Sequence, residues 1–459
     1  MLMDTNNYYS ELIKLLHSDE GNDPTGFPQQ AKLFSCGQLL LKYVNNADLK
    51  ACFAVIEFKN TERSYVYGGA LVNLKVWELI LKTISNVLPA NAYLGRISLG
   101  VAIHAWGDTI EQEMLETFRK IEVELMRLSF VCPPFSYKVE LHISIKIGYL
   151  VYPDDCGILN DFTTVTHYAA LTSIGFHDFQ RSVRMRRFNQ QLVIDANRYC
   201  LVEEKLRYAL LAESIEMYFQ PKIELLSRKI YGAEALARYT DKDIGVIPPV
   251  EMLDVIESGR VIIAFTQLTL KKTMHFAARI KHLLPENFRF AINISQHLFN
   301  YADFDFVKIT QELLEESDCS GNLLEYEITE TAYFDQQIAD NVLSTLQKVK
   351  MLGIKVSVDD FGSGYGALSL ISNDVVDTIK IDKQLTDNIL DPSKHVNAFL
   401  PTLVCATANS GIDIVVEGIE HMWQHDELCR RNIKYGQGYL YSRPIDEVQF
   451  IEYLEKASA

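Results

Sequence analysis

The sequence predicts an α/β chain: a C-terminal (β/α)8, TIM-like barrel with an antiparallel first strand, preceded by a smaller α+β unit. Three observations carry this. From Met217 onward, strand-like runs alternate with helical-period segments over about 240 residues, near the ~250 typical of such barrels. The first two runs are separated only by Ser227-Arg228-Lys229, too short for a crossover helix, so they pair as an antiparallel hairpin. Residues of roughly 31–187 mix strand and helix signals without that regular rhythm.

In chain order, residues 1–30 read as a short amphipathic helix (Tyr8, Leu12, Leu15, Leu16) and a polar loop, Ser18 to Gln30, with Gly21, Pro24, Gly26 and Pro28. Within 31–187, Ala51–Phe58 is an apolar run of strand length and Leu71–Val87 has helical spacing. Ala92–Ala105 reads as strand, turn, strand, and Val139–Tyr152 as another strand pair ending near Gly148 and Pro153. Residues 188–214 read as one helix, from Phe188 through Val202, Leu206 and Leu210, linking the two parts. The barrel is expected over 215–459.

Composition narrows the class. Of 459 residues, 48% are hydrophobic and 23% charged, with no low-complexity tract, which excludes disorder, collagen-like repeats and a dominant coiled coil. Forty-four basic against sixty acidic residues gives −16, the wrong sign for a nucleic-acid polymer binder. An anionic ligand would need a local cationic or metal-lined pocket. Cys36, Cys52, Cys132, Cys156, Cys200, Cys319, Cys405 and Cys429 are scattered with no C-x-x-C pair, as reduced core thiols would be. No segment approaches the ~18 consecutive apolar residues of a membrane span, and no basic n-region precedes an apolar stretch near Asp4 and Glu11. A cytoplasmic protein without membrane insertion is expected.

Polar residues sit where the apolar runs stop: Glu234, Asn293, Glu327, Asp359 with Asp360, Lys380, Glu417 and Gln437. The C-terminal ends of barrel strands converge on one rim, so these residues should meet. Carboxylates plus an amide oxygen, with neither Cys nor His, make a hard-oxygen site suited to Mg²⁺ or Mn²⁺. The adjacent pair Asp359 and Asp360 could serve two ions ~3.5–4 Å apart, the arrangement for in-line attack on a phosphodiester. Lys380 would orient water or stabilise developing charge, and Arg238 could hold a phosphate oxygen. A single acid at a strand end is ordinarily a helix N-cap or a solvated loop residue. Polar groups at seven consecutive strand ends are not explained that way. Gly362-Ser363-Gly364 reads as a turn or as a loop over the site, and the histidines show no H-x-x-x-H spacing and are left in structural roles.

These residues bring Met217–Leu454 into resemblance with the EAL-type cyclic-di-GMP phosphodiesterase domain. The naming tripeptide stands as Glu234-Ala235-Leu236. With it come Tyr218-Phe219-Gln220-Pro221, Pro248-Pro249 with Glu257, Asn293-Ile294-Ser295 and Glu327-Ile328-Thr329-Glu330. Asp359-Asp360-Phe361-Gly362, Lys380-Ile381-Asp382, Glu417-Gly418-Ile419-Glu420 and Gln437-Gly438-Tyr439 follow in the family's order. The resemblance implies that Glu234, Asn293, Glu327 and Asp359 hold one ion, and Asp359, Asp360 and Glu417 a second. It implies that Lys380 contacts the attacking water and that Gln220, Leu236, Arg238, Asp382 and Gln437 contact the dinucleotide. Glu330 would anchor the loop running from Asp360 to Leu370, which couples homodimerisation to the metal site. Tyr239 stands where the family usually has Trp.

The first part resembles the diguanylate cyclase (GGDEF) domain more weakly. Tyr67-Gly68-Gly69 through Val72-Asn73 matches an early stretch, and Ile147-Gly148-Tyr149 with Tyr152-Pro153 a later strand. Where the signature should stand, the chain has Arg96-Ile97-Ser98-Leu99-Gly100-Val101-Ala102. The acidic pair is absent, Glu57 alone is retained upstream, and the inhibitory Arg-x-x-Asp near Pro89–Ala92 is missing. A two-metal cyclase needs carboxylates to hold its ions, so a catalytically inactive domain with a regulatory or dimerising role is expected. The implied reaction of the whole is hydrolysis of cyclic-di-GMP to linear pGpG with Mg²⁺ or Mn²⁺, with two ions expected. The alternative is a cyclic-di-GMP receptor that binds without cleaving.

Overall fold

The computed structural model describes residues 2–458 except 60–62, 133–136, 141–142, 175–184, 259–260, 302–303, 330–335, 362–374, 388–395 and 408–409. The chain divides into two units, Met1–Cys200 and Leu201–Ala459. The helix Gln190–Leu211 runs across that division, where the sequence places the connector 188–214.

Alternation along one strand organises the first unit. Its strands are β1 (Lys50–Lys59), β2 (Ala92–Ile97), β3 (Gly100–Gly107), β4 (Ser129–Cys132), β5 (Tyr137–Glu140), β6 (Ser144–Tyr152) and β7 (Met185–Arg187). Ala51, Phe53 and Val55 of β1 join one buried cluster, and Cys52, Ala54 and Ile56 the opposite one, as a period of two requires. The Phe53 side packs against helices Leu2–Leu16, Gln30–Ala47 and Phe162–Ile174 through Leu12, Leu33, Leu40 and Phe162. The other side packs against Arg63–Val87 and Ile110–Met126 through Val76, Ile80, Phe118 and Ile121. The sheet order is β2-β3-β1-β6-β7, antiparallel except for the β6–β7 pair.

One expectation here is corrected. The two strands within Val139–Tyr152 do not pair with each other: β5 pairs with β4, and β6 lies between β1 and β7. Apolar residues mark both strands, but a strand's partner is set by which neighbour can bury its face. Ile147, Tyr149 and Val151 of β6 are buried in the central sheet.

The second unit contains β8 (Glu216–Glu224), β9 (Ile230–Asp241), β10 (Gly245–Ile247), β11 (Arg289–Asn293), β12 (Leu324–Thr329), β13 (Lys355–Phe361), β14 (Thr378–Ile381), β15 (Asp413–Val416) and β16 (Tyr435–Gln437). From β9 through β11 to β16 the neighbours are parallel. β8 lies antiparallel to both β9 and β16 and so closes an eight-stranded barrel, as the short connection, residues 225–229, requires. Phe219 and Phe290, outward on β8 and β11, pack with Phe276 and Phe450 from helices Val261–Ile280 and Glu447–Ser458. The Phe219 and Phe276 rings stack at 4.4 Å, and aromatic pairs of this kind add roughly 0.5–1.5 kcal/mol beyond burial.

Glu234 does not end its strand. β9 continues to Asp241, pairing with β11 only through Ala235 and then with β10 over Tyr239–Asp241. The extra length outruns β11 while pairing with β8 continues to Arg238, so Glu234 lies near the end of the β9–β11 pairing and not at the end of the strand. Glu327 and Asp359 likewise lie two residues inside the ends of β12 and β13.

Candidate active site

Strand alternation carries charge into the barrel. On β12, Leu324, Tyr326 and Ile328 point to the helices, Tyr326 meeting Phe306 at 5.5 Å between ring centroids. Glu325 and Glu327 therefore point inward. On β14, Ile379 and Ile381 join an outer apolar cluster, leaving Thr378 and Lys380 inward. On β8, Phe219 faces out and Gln220 and Lys222 face in. Glu417 is set by the turn after β15: its N–H donates to the Ile381 carbonyl at 2.9 Å, and Gly418 follows at φ +67°, a left-handed conformation that glycine adopts without strain. At Gly438 a Cβ would lie 2.1 Å from the Ile419 carbonyl oxygen. Only glycine lets the chain after Gln437 approach that closely.

These side chains meet at Lys380. The side chain is 1% exposed, and its Nζ lies 2.8 Å from Glu327 Oε2, 2.8 Å from Glu417 Oε1, 3.1 Å from Asp359 Oδ1 and 3.7 Å from Glu234 Oε2. Asn293 Nδ2 donates to Glu234 Oε1 at 2.9 Å, and Gln437 Nε2 donates to Glu234 Oε2 at 2.7 Å and to Gln220 Oε1 at 3.0 Å. The other amide N–H of the group, from Gln220 Nε2, donates to the Ser442 carbonyl at 3.1 Å. A cavity of about 360 Å³ opens beside the cluster, lined by Glu234, Leu236, Arg238, Asn293, Glu327 and Asp359 with apolar residues such as Met252 and Ile256. Arg238 lies near the Tyr218 ring, 6.0 Å from its centroid, and donates to the Ala237 carbonyl.

Thus Gln220, Glu234, Asn293, Glu327, Asp359, Lys380, Glu417 and Gln437 come together, and Leu236 and Arg238 face the adjoining cavity. Asp382 stands one residue beyond β14. Glu330 and the 362–370 part of the loop lie outside the described residues, as does the side chain of Asp360.

Two residues that the motif reading passed over belong to the same network. Lys222, 1% exposed, donates to Glu327 Oε1 at 2.7 Å and lies 3.7 Å from Glu325. The available signal is spacing: Lys222 shares a face with Gln220, and Glu325 with Glu327, each two residues apart.

Burial and charge oppose each other strongly here. Burial pushes the Glu327 carboxyl up, but Lys222 and Lys380 outweigh it and bring its pKa down to about 2. Burial raises Glu417 to about 8, Asp359 and Glu234 adding repulsion against the pull of Lys380. Glu234 is raised for the same reason, burial first. Burial would lower Lys380, yet Asp359, Glu234, Glu327 and Glu417 together hold its ammonium well above the usual lysine range.

The donor set suits a divalent cation. All its acceptors are oxygens, five carboxylates face the two ammonium groups of Lys222 and Lys380, and the buried Glu417 Oε1 has no neighbour nearer than Lys380 Nζ among the ion pairs of the described residues. Residual negative charge on hard oxygens matches Mg²⁺ or Mn²⁺. Among the described residues, however, no three Asp, Glu, His or Cys side chains already form an ion cage; the point on which the acids converge is the Lys380 ammonium.

In the first unit, the Ser98-Leu99 turn joins β2 to β3, and Glu57 of β1 sits opposite Gly100. Arg96 lies over the Trp77 ring at 4.4 Å.

Residues 203–444 match the EAL domain family. The Cyclic di-GMP phosphodiesterase PdeL of Escherichia coli is 29% identical over 277 residues, covering 59% of this chain and 74% of that protein. The Cyclic di-GMP phosphodiesterase NbdA of Pseudomonas aeruginosa is 26% identical over 268 residues, 58% of this chain. The chain spans only 34% of the length of NbdA. Among solved structures, the S helix-GGDEF-EAL portion of Vibrio cholerae LapD, bound to c-di-GMP, aligns with 94% of this chain and 98% of its own at a TM-score of 0.54 and 15% identity. That likeness concerns the fold alone. No helix among the described residues is long and apolar enough to cross a membrane.

Proposed function

This chain belongs to the EAL domain family, and on that premise we propose that it is a divalent-cation-dependent phosphodiesterase that hydrolyses one phosphodiester of cyclic-di-GMP to give linear pGpG. The observation that supports this most is the convergence of Glu234, Glu327, Asp359 and Glu417 within 3.7 Å of one buried lysine beside an open cavity. In this reading residues 31–187 form a catalytically inactive, cyclase-like regulatory or dimerising domain after an N-terminal segment, 1–30. Residues 188–214 link it to the catalytic domain, 215–459, whose barrel forms a homodimer.

Glu234, Asn293, Glu327, Asp359, Asp360 and Glu417 would hold Mg²⁺ or Mn²⁺. Such ions, when bound, lower the pKa of water and neutralise charge on a phosphoryl oxygen. The chain's own contribution is positioning. Asn293 and Gln437 hold the Glu234 carboxylate from both sides, and Lys222 fixes one oxygen of Glu327 so that the other faces Lys380. Lys380, kept protonated by its acids, offers a fixed positive charge where the phosphate gains negative charge. Arg238, Leu236, Gln220, Asp382 and Gln437 would bind and orient the dinucleotide. Only the guanidinium of Arg238 among these carries the charge to pair with a phosphate.

The test is purified full chain with Mg²⁺ or Mn²⁺ and cyclic-di-GMP. Appearance of pGpG, abolished in Glu234→Ala, is the expected result, and an inert wild-type protein overturns it. The second reading is a receptor that binds cyclic-di-GMP without cleaving it. It is favoured by the Lys380 ammonium standing where the acids converge. Binding without turnover in either metal would select it.

A further inference from the structure

We propose that the first unit contains a binding site for a small, uncharged aromatic molecule carrying one hydrogen-bonding atom, recognised by His104. The inference is independent of the phosphodiesterase reading, because every residue involved lies between Gln30 and Ala170.

The site is a cavity of about 270 Å³ on the Phe53 side of the sheet. Phe34, Phe53 and Phe162 supply aromatic walls, Ala102 and Ala169 leave the space between them, and Ser98 stands at the exposed rim. An apolar cavity of ~150 Å³ is enough to take up benzene, so this one has room for a fused pair of rings. No Asp, Glu, Lys or Arg side chain is among its lining residues. A phosphate or carboxylate would be desolvated there without a counter-charge, which disfavours an anion such as a nucleotide.

One polar group reaches the cavity from the core. His104 is 3% exposed and lines the cavity wall. Its Nδ1 lies 2.9 Å from the Tyr93 hydroxyl, and no described residue partners Nε2. The ring is held edge-on by Phe53, Tyr93 and Phe162 at centroid distances of 5.2, 5.0 and 5.3 Å, so it cannot swing toward another partner without losing those contacts. Burial keeps the imidazole neutral, its pKa lowered to about 3. A neutral ring has one nitrogen that donates and one that accepts, and the Tyr93 bond decides which is which. On the wall of the cavity, that nitrogen is free to take one hydrogen bond from a ligand that supplies the matching atom.

The test titrates the full chain, its histidine rings isotope-labelled, with quinoline (an acceptor only), indole (a donor only) and naphthalene (neither). One heterocycle is expected to bind one-to-one and shift the His104 ring resonance, and its identity reports the His104 tautomer. Naphthalene is expected to bind at least about tenfold more weakly. His104→Phe keeps the ring packing and should bring the preferred heterocycle down to the naphthalene level, while Ala170→Leu, filling the cavity, should weaken it at least about tenfold. The proposal is overturned if neither heterocycle moves the His104 resonance at millimolar concentration. It is equally overturned if naphthalene binds as tightly as the better heterocycle, or if GTP saturates the same resonance shift.

Discussion

Lys222 Nζ lies 2.7 Å from Oε1 of Glu327, with side-chain exposures of 1% and 0%. The other oxygen of Glu327 meets Lys380 at 2.8 Å, so charge alternates along the barrel interior. Glu325, Lys222, Glu327 and Lys380 follow one another to the acids at the mouth. Each buried charge is supported by the next. Removing one member takes a partner from each buried charge beside it.

Lys222→Met should therefore cost about 3–5 kcal/mol of stability, read from the urea denaturation midpoint. Adding Glu327→Gln to that variant should cost much less than it does alone, because the lost partner no longer matters. Additive losses would mean that the two residues do not act as a pair.

Glu234→Gln keeps shape and loses only charge. Its oxygens now accept from Asn293 and Gln437, so the amide would put an N–H against at least one N–H donor. Turnover of cyclic-di-GMP should fall at least about 100-fold with little change in the far-ultraviolet dichroism.

Chelation should abolish turnover, and Mg²⁺ or Mn²⁺ should restore it. Either ion should also raise the unfolding midpoint of the wild-type chain, since saturation at 100 times Kd adds about 2.7 kcal/mol. Glu417→Ala removes a buried carboxylate oxygen from the cluster around Lys380 and should lose most of that shift.

His104 makes the first unit sensitive to acid. Burial holds its pKa from the ordinary 6.5 down to about 3, so the unfolded chain binds a proton that the folded one refuses. Stability contributed in this way is fully present above about pH 6.5 and is lost progressively as pH falls toward about 3. His104→Phe should flatten that acid limb by a few kcal/mol between about pH 7 and about pH 4, measured as the unfolding midpoint against pH. An unchanged limb would show that carboxylates govern it instead.

Incubated with GTP and Mg²⁺, the full chain should make no cyclic-di-GMP. At the β2–β3 turn stand Ser98 and Leu99, and the acid retained beside it is Glu57, opposite Gly100. Detectable product would contradict the inactive-domain reading.

The barrel and most of its polar rim were legible because their causes are local. An alternation of strand-like and helical-period runs, a polar residue closing each apolar run and a short first connection are properties of the chain as written. They were enough to place Asn293, Glu327, Asp359, Lys380, Glu417 and Gln437 at one mouth. Glu234 reads as a strand end in the sequence, whereas β9 extends past β11 into a hairpin with β10. Nothing in the sequence of one strand states how long its neighbour is. The Val139–Tyr152 strands failed similarly, since either could pair with any strand able to bury its face.

By itself the sequence determined the barrel, its antiparallel first strand and which polar residues close its apolar runs, because those signals are local to each segment and need no knowledge of the rest of the chain. Only the tertiary structure decided that the acids gather around Lys380, that Lys222 and Glu325 join them, and that His104 stands beside an uncharged cavity. Those relations depend on distances between strands remote in sequence, and in a low-dielectric interior those distances determine whether a charge is paired or stranded.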